Sequence, residues 1–279
     1  MKNALVMLLV VFPLGAQQPS APPAVLRIFR EEIKEGKAAD HEKTEAVFMQ
    51  AAAKQKYPSH IIGLTSLTGT ALAVFLEGHD TFASIADSEA VMDTPEFGAI
   101  DAADAQLRIN QRSMIARYRP DLSYAADQIN LPKTRYFSIE TVHVRAGHLE
   151  QHAKLIETLI AAEKNAGNSQ HDTRQVATYQ VVSGAPNGTF LVLQPMASLK
   201  SLDEGQQRQR LLFQAMGESG RTAYEKAISD SIESEESLLF AVNPQMSYVP
   251  KEWVTADPDF WGSKPVTTKK ATGKQAASK

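Results

Sequence analysis

Cysteine is absent from the 279 residues. That excludes disulfide staples, a thiol nucleophile, and any zinc or iron–sulfur centre built on thiolates. A phosphate-binding loop, a G-x-G-x-x-G turn, a G-x-S-x-G elbow and an H-E-x-x-H helix are also missing, which argues against nucleotide-driven chemistry and the common hydrolase designs. Neither sign of charge dominates. The 29 basic and 32 acidic residues leave a net charge of −3, so no nucleic-acid partner is expected. Long apolar runs are scarce. The one that stands out, Ala4–Phe12, is too short for a bilayer core that needs about 20 residues.

That run sits in a recognisable setting. Lys2 precedes it, Pro13 ends it, and Leu14-Gly15-Ala16 follows as a cleavage site, so residues 1–16 read as a secretory signal peptide. The expected product is secreted or periplasmic, with no stable membrane anchor once the signal is removed. Without disulfides its stability must come from an apolar core, and 43% apolar residues can supply one. Residues 17–24, with Pro19, Pro22 and Pro23, read as an extended linker.

The rest of the chain contains itself twice. Ile28, Gly36, His41 and Lys43 are matched 111 residues later by Ile139, Gly147, His152 and Lys154. Gly69-Thr70-Ala71-Leu72 pairs with Gly188-Thr189-Phe190-Leu191, and Pro120-Asp121-Leu122-Ser123-Tyr124 pairs with Pro244-Gln245-Met246-Ser247-Tyr248. The matches keep their order while the offset grows, as insertions in connections produce. The expected organisation is a first repeat over 25–125, a linker over 126–134, a second repeat over 135–250, a docked aromatic segment over 251–262, and a Lys-rich, disordered tail over 263–279.

Each repeat reads as β-α-β-β-α-β. In the first, a strand near 25–33 is turned by Gly36 into a helix over 38–55. Strands follow near 61–67 and 70–77, then a helical stretch over 84–113 restarted at Thr94-Pro95, and a last strand at 114–119. In the second, the strands fall near 136–144, 175–182, 189–194 and 238–242, with helices over 149–166 and 201–234, the latter broken at Gly217. The third strands, Ala71–Leu76 and Phe190–Leu193, are apolar on both faces, which marks strands covered on both sides. One cover is the repeat's own helices. The other is expected to be the sheet of the sister repeat.

A strand, then Ile33-Lys34-Glu35-Gly36-Lys37 or Val144-Arg145-Ala146-Gly147-His148, then an amphipathic helix, resembles the dimeric α/β-barrel superfamily, which includes NIPSNAP-like proteins and antibiotic-biosynthesis monooxygenases. The resemblance implies an α+β fold: two tandem ferredoxin-like repeats whose antiparallel sheets face each other as a pseudo-dimeric α/β barrel within one chain. It also implies a small-molecule pocket between the repeats, and activities that range over cofactor-independent oxygenation, isomerisation and haem handling. Where the family carries an aromatic residue five places after the glycine, this chain has His41 and His152.

Two sets of residues could carry chemistry. With Leu26, Ile28, Phe137 and Ile139 assigned to the helix side, Arg27, Glu31, Glu140, Tyr179 and Gln194 become the expected lumen-facing groups that contact a small-molecule ligand. His143, His148 and His152 are a candidate metal set, the last two sharing a helix face. A non-catalytic small-molecule binder, an enzyme on the same fold and a histidine metal protein all remain open, and no cofactor is named by the sequence.

Overall fold

The structure is a computed structural model and describes residues 21–166 and 174–262. The first repeat contributes β1 (Val25–Ile33), α1 (Ala38–Gln55), β2 (His60–Ser66), β3 (Leu72–His79), α2 (Ile85–Met92), α3 (Pro95–Asp104) and β4 (Arg108–Tyr118). The second contributes β5 (Tyr136–Val144), α4 (Leu149–Ala166), β6 (Ala177–Ser183), β7 (Thr189–Met196), α5 (Lys200–Ser231) and β8 (Ile232–Val242). Two short helices follow, α6 (Lys251–Ala256) and α7 (Pro258–Trp261). The signal-peptide and Lys-rich-tail expectations lie outside the described residues.

The eight strands close into one antiparallel barrel in the order β1-β3-β2-β8-β5-β7-β6-β4. Each repeat supplies four neighbouring strands, and two short seams join the halves. One pairs Leu64–Ser66 with Val242–Phe240; the other pairs Ile115–Tyr118 with Ser183–Tyr179. Closure removes every free sheet edge, the hazard that an open four-stranded sheet would carry.

Symmetry explains the conserved-looking motifs. Gly36 and Gly147 both adopt positive φ, 72° and 84°, where the chain turns from strand to helix. The two Ser-Tyr arms cross to the opposite repeat. Tyr124 bridges Val176 and Tyr248 bridges Ile61. The Thr178 amide donates to Ser123 Oγ and the Gly63 amide to Ser247 Oγ, each at 2.9 Å. These motif serines therefore fasten one repeat to the other.

Strand register refines the repeat. Ile28 faces Leu76 as Ile139 faces Leu193, and Ile28 faces Met114 as Ile139 faces Leu238. The last match stands as read from sequence. The middle one moves by two residues, so Leu72 corresponds to Thr189 rather than Leu191. A two-residue slip preserves the face of every side chain, which is why pattern alone did not expose it. The strands β4 and β8 also begin earlier than expected. Their first turns of pleat, such as Asn110-Gln111-Arg112 and Glu233–Glu236, are polar and exposed on both sides and carry no alternation.

The third strands are covered on both faces, as expected. Leu72, Val74, Leu76, Leu191 and Leu193 join the barrel core, while Ala73, Phe75 and Phe190 pack under helices. The direction of the first strands is reversed from the expectation. Leu26, Ile28, Phe137 and Ile139 point into the barrel with Leu64, Phe240 and Val242. Fully burying each such side chain contributes about 1.5–3 kcal/mol. The middle of the lumen is therefore a packed core, with a cavity of only ≈ 30 Å³ among Ile28, Val74, Leu193 and Phe240. The expected chamber between the repeats is reduced to two recesses at the barrel mouths, of ≈ 270 and ≈ 440 Å³.

The aromatic segment docks over one mouth. Trp261 is buried in the barrel cluster, its indole N–H donates to Pro132 O at 2.8 Å, and Arg135 stacks on Phe260 at 3.8 Å while pairing with Asp257.

Candidate functional site

A recess of ≈ 680 Å³ lies between the sheet of the first repeat and helices α1, α2 and α3. Alternation on β1 aims Arg27, Phe29 and Glu31 into it, since Leu26 and Ile28 take the barrel side. Phe29, Phe48, Met49, Phe75 and Phe97 form its apolar middle, with Phe48 and Phe97 edge to face at 4.8 Å. Charged groups occupy its two ends.

At one end, Glu31, His41, Glu45 and Asp104 are 3%, 2%, 8% and 2% exposed. His41 Nε2 is 2.8 Å from Glu31 Oε2, 3.5 Å from Asp104 Oδ1 and 3.9 Å from Glu45 Oε1. Arg108 approaches from behind. It donates to Glu31 Oε1 at 2.5 Å, lies 3.4 Å from Asp104 Oδ2, and pairs with Asp101. Burial, reinforced by Glu31 and Asp104, holds the Glu45 carboxyl well above the usual range. Burial also raises Asp104, against the pull of His41. Burial would depress Arg108, but Asp101 and Glu31 outweigh it, so the guanidinium stays charged.

At the other end, Glu77 is fully buried. It accepts from Tyr57 Oη at 2.8 Å, lies 3.1 Å from His79 Nε2 and 3.8 Å from Arg27, and Arg27 also pairs with Glu89 across the pocket. Burial works to raise Glu77, but the His79 and Tyr57 hydrogen bonds prevail and leave it low, hence ionised. Burial pushes Tyr57 up, so it remains a donor.

The second repeat builds the same sheet–helix layer without this charged set; its own buried carboxyl, Glu140, stands where the first repeat has Phe29. Strand register and the helix offset place Val142 where Glu31 stands, Ile156 at Glu45, Ile232 at Arg108, and His152 at His41. Val142, Val144, Phe190, Ala153, Ile156 and Ile232 pack together there. His152 is buried against Phe190, its Nδ1 has no hydrogen-bond partner among the described residues, and burial pushes its imidazole down toward the neutral form. The pair Arg27–Glu77 likewise becomes Ser138–Gln194.

The sequence-derived candidates divide accordingly. Tyr179 does face the lumen; its hydroxyl donates to Pro23 O at 3.0 Å at one mouth. Arg27, Glu31, Glu140 and Gln194 do not. They stand on the helix side of their strands, and the correction follows from the reversed facing of β1 and β5. Arg27 and Glu31 still meet in one place, the sheet–helix pocket. Glu140 sits in the second repeat, where burial first and Glu235 second raise its carboxyl to about 7. The three histidines are not brought together. His143 lines the other mouth, His148 bonds Gln151 at the start of α4 at 2.8 Å, and His152 is under the opposite face of the sheet. Glu45, Asp104 and Arg108 were missed. A position-by-position reading of the repeats would have found Glu45 and Arg108, since each replaces an isoleucine of the sister copy.

No family model matches the chain, and no curated protein sequence matches it. Solved structures do. An anthrone oxidase-like protein superposes with a TM-score of 0.54 at 9% identity over 79% of this chain and 92% of its own. A candidate monooxygenase from Fusobacterium nucleatum gives 0.53 at 11% identity over 78% and 91%. A candidate chlorite dismutase gives 0.51 at 13% identity over 80% and 96%. At such identities the likeness carries the fold and not the reaction. The chain has the fold of the dimeric α/β-barrel superfamily, with both halves of the barrel on one polypeptide.

Proposed function

We propose that the protein is a small-molecule enzyme whose working site is the sheet–helix pocket of the first repeat. It takes a compact molecule with an aromatic or apolar body, held by Phe29, Phe48, Phe75 and Phe97, and directs a polar group at the Glu31–His41–Glu45–Asp104 cluster. The observation that carries this is the contrast between repeats. The fold makes the same layer from Val142, Ile156 and Ile232, so the charged set in the first repeat is not there to make the fold. A small organic substrate is in keeping with the descriptions of two proteins that share the fold, the candidate monooxygenase and the anthrone oxidase-like protein.

Haem fits these residues poorly. The wall beside His41 carries Glu45, Asp93 and Asp104, and the pocket's two arginines, Arg27 and Arg108, are already paired with Glu77, Glu89, Glu31 and Asp101, where two propionates need free cations. His152 is buried against Phe190.

A thermal-shift screen of aromatic and alicyclic compounds, followed by mass spectrometry of incubated hits, tests the proposal. Ligands of the folded state raise its stability by about 2.7 kcal/mol at 100 times Kd. They are expected to lose that effect in Ala90→Trp, which fills the mouth from an exposed position. Hits unaffected by Ala90→Trp, or never converted to product, would count against this site or against catalysis respectively. Export is part of the same proposal; its support is the run Lys2–Ala16, and an intact N-terminus on protein recovered from cells would refute it.

A further inference from the structure

We infer that the buried cluster at the inner end of the pocket is a site for one divalent first-row transition-metal ion, ligated by Glu31, His41, Glu45 and Asp104. The inference deepens the proposed function, because the ion would stand where the substrate's polar group is directed. It can nevertheless fail while the pocket reading survives.

The geometry is that of a donor set, not of a saturated ion-pair network. One ligand atom from each of the four residues lies within 4.8 Å of all the others, and all four residues are buried. The inward-facing atoms are His41 Nε2, Glu31 Oε2, Asp104 Oδ1 and Glu45 Oε1. Arg108 takes the opposite oxygens, Glu31 Oε1 and Asp104 Oδ2. Holding a carboxylate by its rear oxygen while the front one points at a common centre is how outer-shell groups orient metal ligands.

Asp104 supplies an independent sign. It is almost wholly buried, it points into the cluster, and neither of its carboxylate oxygens has a hydrogen-bond partner among the described residues. Its contacts are the ion pairs to His41 at 3.5 Å and Arg108 at 3.4 Å, and a buried carboxylate that accepts no hydrogen bond is rare because its desolvation is poorly repaid. Charge allows the same reading. With all three carboxylates ionised they face one guanidinium, an excess that the set meets without an ion by raising the Glu45 carboxyl. A divalent cation with a neutral imidazole brings the fully ionised set to neutrality.

The donor types choose the metal class. One imidazole nitrogen among three carboxylates is too oxygen-rich for copper(I) and offers no thiolate for a structural zinc. The imidazole disfavours calcium and magnesium, which take oxygen alone. Manganese(II), iron(II) and zinc(II) remain. Glu31, Glu45 and Asp104 also line the pocket, so the site communicates with the space proposed for substrate.

The test uses the full chain, freed of metal by chelator and checked for an unchanged circular-dichroism spectrum. Manganese(II), followed by electron paramagnetic resonance, and zinc(II), followed by calorimetry, are titrated in turn. One equivalent per chain is expected, with a rise in Tm. Glu45→Gln, at the pocket wall, is expected to weaken binding at least ~10-fold. Asp104→Asn is expected to do the same, and His148→Ala to bind as the parent does. No stoichiometric binding of either ion by folded protein would overturn the inference, as would binding that survives both carboxylate variants or disappears in His148→Ala. Should pocket ligands still bind the metal-free protein in that event, the pocket reading stands alone.

Discussion

The two repeats share strand register, a β-bulge at the same place in the first strand and a crossing Ser-Tyr arm, yet the layer under their helices differs in kind. In the first repeat it is a pocket with a charged cluster at each end. In the second the matching positions are an apolar contact of Val142, Phe190, Ile156 and Ile232 beside a neutral His152, and the buried carboxyl, Glu140, falls at a different position. Such a pair is an internal control. What both copies keep, the fold needs: the positive-φ glycines, the motif serines and the apolar third strands. What only one copy keeps has another purpose. Burying four ionisable groups costs desolvation that apolar residues of similar size avoid, as the second copy shows.

That comparison can be broken at several points, and the largest effect is expected from Arg108→Met. Removing the one cation that holds Glu31 and Asp104 leaves their charges buried and uncompensated, which destabilises by ~3–5 kcal/mol. Denaturant unfolding at pH 8 measures it. A loss below ~1 kcal/mol would mean that the cluster is wetter than its burial indicates. Tyr57→Phe comes next. It removes a hydrogen bond to the ionised, buried Glu77 and should cost ~1.5–3 kcal/mol, whereas Gln194, at the place of Glu77 in the second repeat, has no charge to lose.

The second repeat has its own weak point in Glu140. Its folded pKa of about 7 lies above the ordinary carboxyl value of 4.5. The folded state therefore holds a proton that the unfolded chain releases, and stability is fully present below pH 4.5 and falls as pH rises through 7. Glu140→Gln should flatten that decline, gaining on the order of 2 kcal/mol at pH 8 and little at pH 4. Equal effects at both pH values would contradict the shift. His152→Leu is the mildest change, within ~1.5 kcal/mol at pH 8. Because burial depresses its folded pKa, the parent loses stability as pH falls below the ordinary imidazole value of 6.5, and the variant should lose less.

Much of the fold was legible because it is written as periodicity: doubled strand–glycine–helix signatures, proline-closed strands, and third strands apolar on both faces. The facing of β1 and β5 was not. Both faces of these strands are covered, so alternation separates Leu26 and Ile28 from Arg27 and Glu31 without saying which pair meets the helices. Assigning the apolar pair to the helices put the charges in the lumen, whereas the helix–sheet layer of the first repeat holds the ionic cluster. The site was half legible for the same reason. Arg27 and Glu31 were picked out as buried charges and His41 as a departure from the usual aromatic, but they were sent to different places. Asp104 and Arg108 lie across a helix–strand junction from them, where no local spacing reports proximity.

The most direct measurement rewrites the first repeat in the terms of the second. Glu31→Val, Glu45→Ile and Arg108→Ile copy Val142, Ile156 and Ile232, and Asp104→Ile copies Ile228 at the same offset as the β4 and β8 starts. His41 is left in place. Thermal melting and a titration with a ligand of the parent protein are then made on the same sample. The account predicts a folded barrel with a Tm at or above that of the parent and no ligand response. A variant that unfolds, or that folds and still binds, would show that the charges serve the fold or nothing at all.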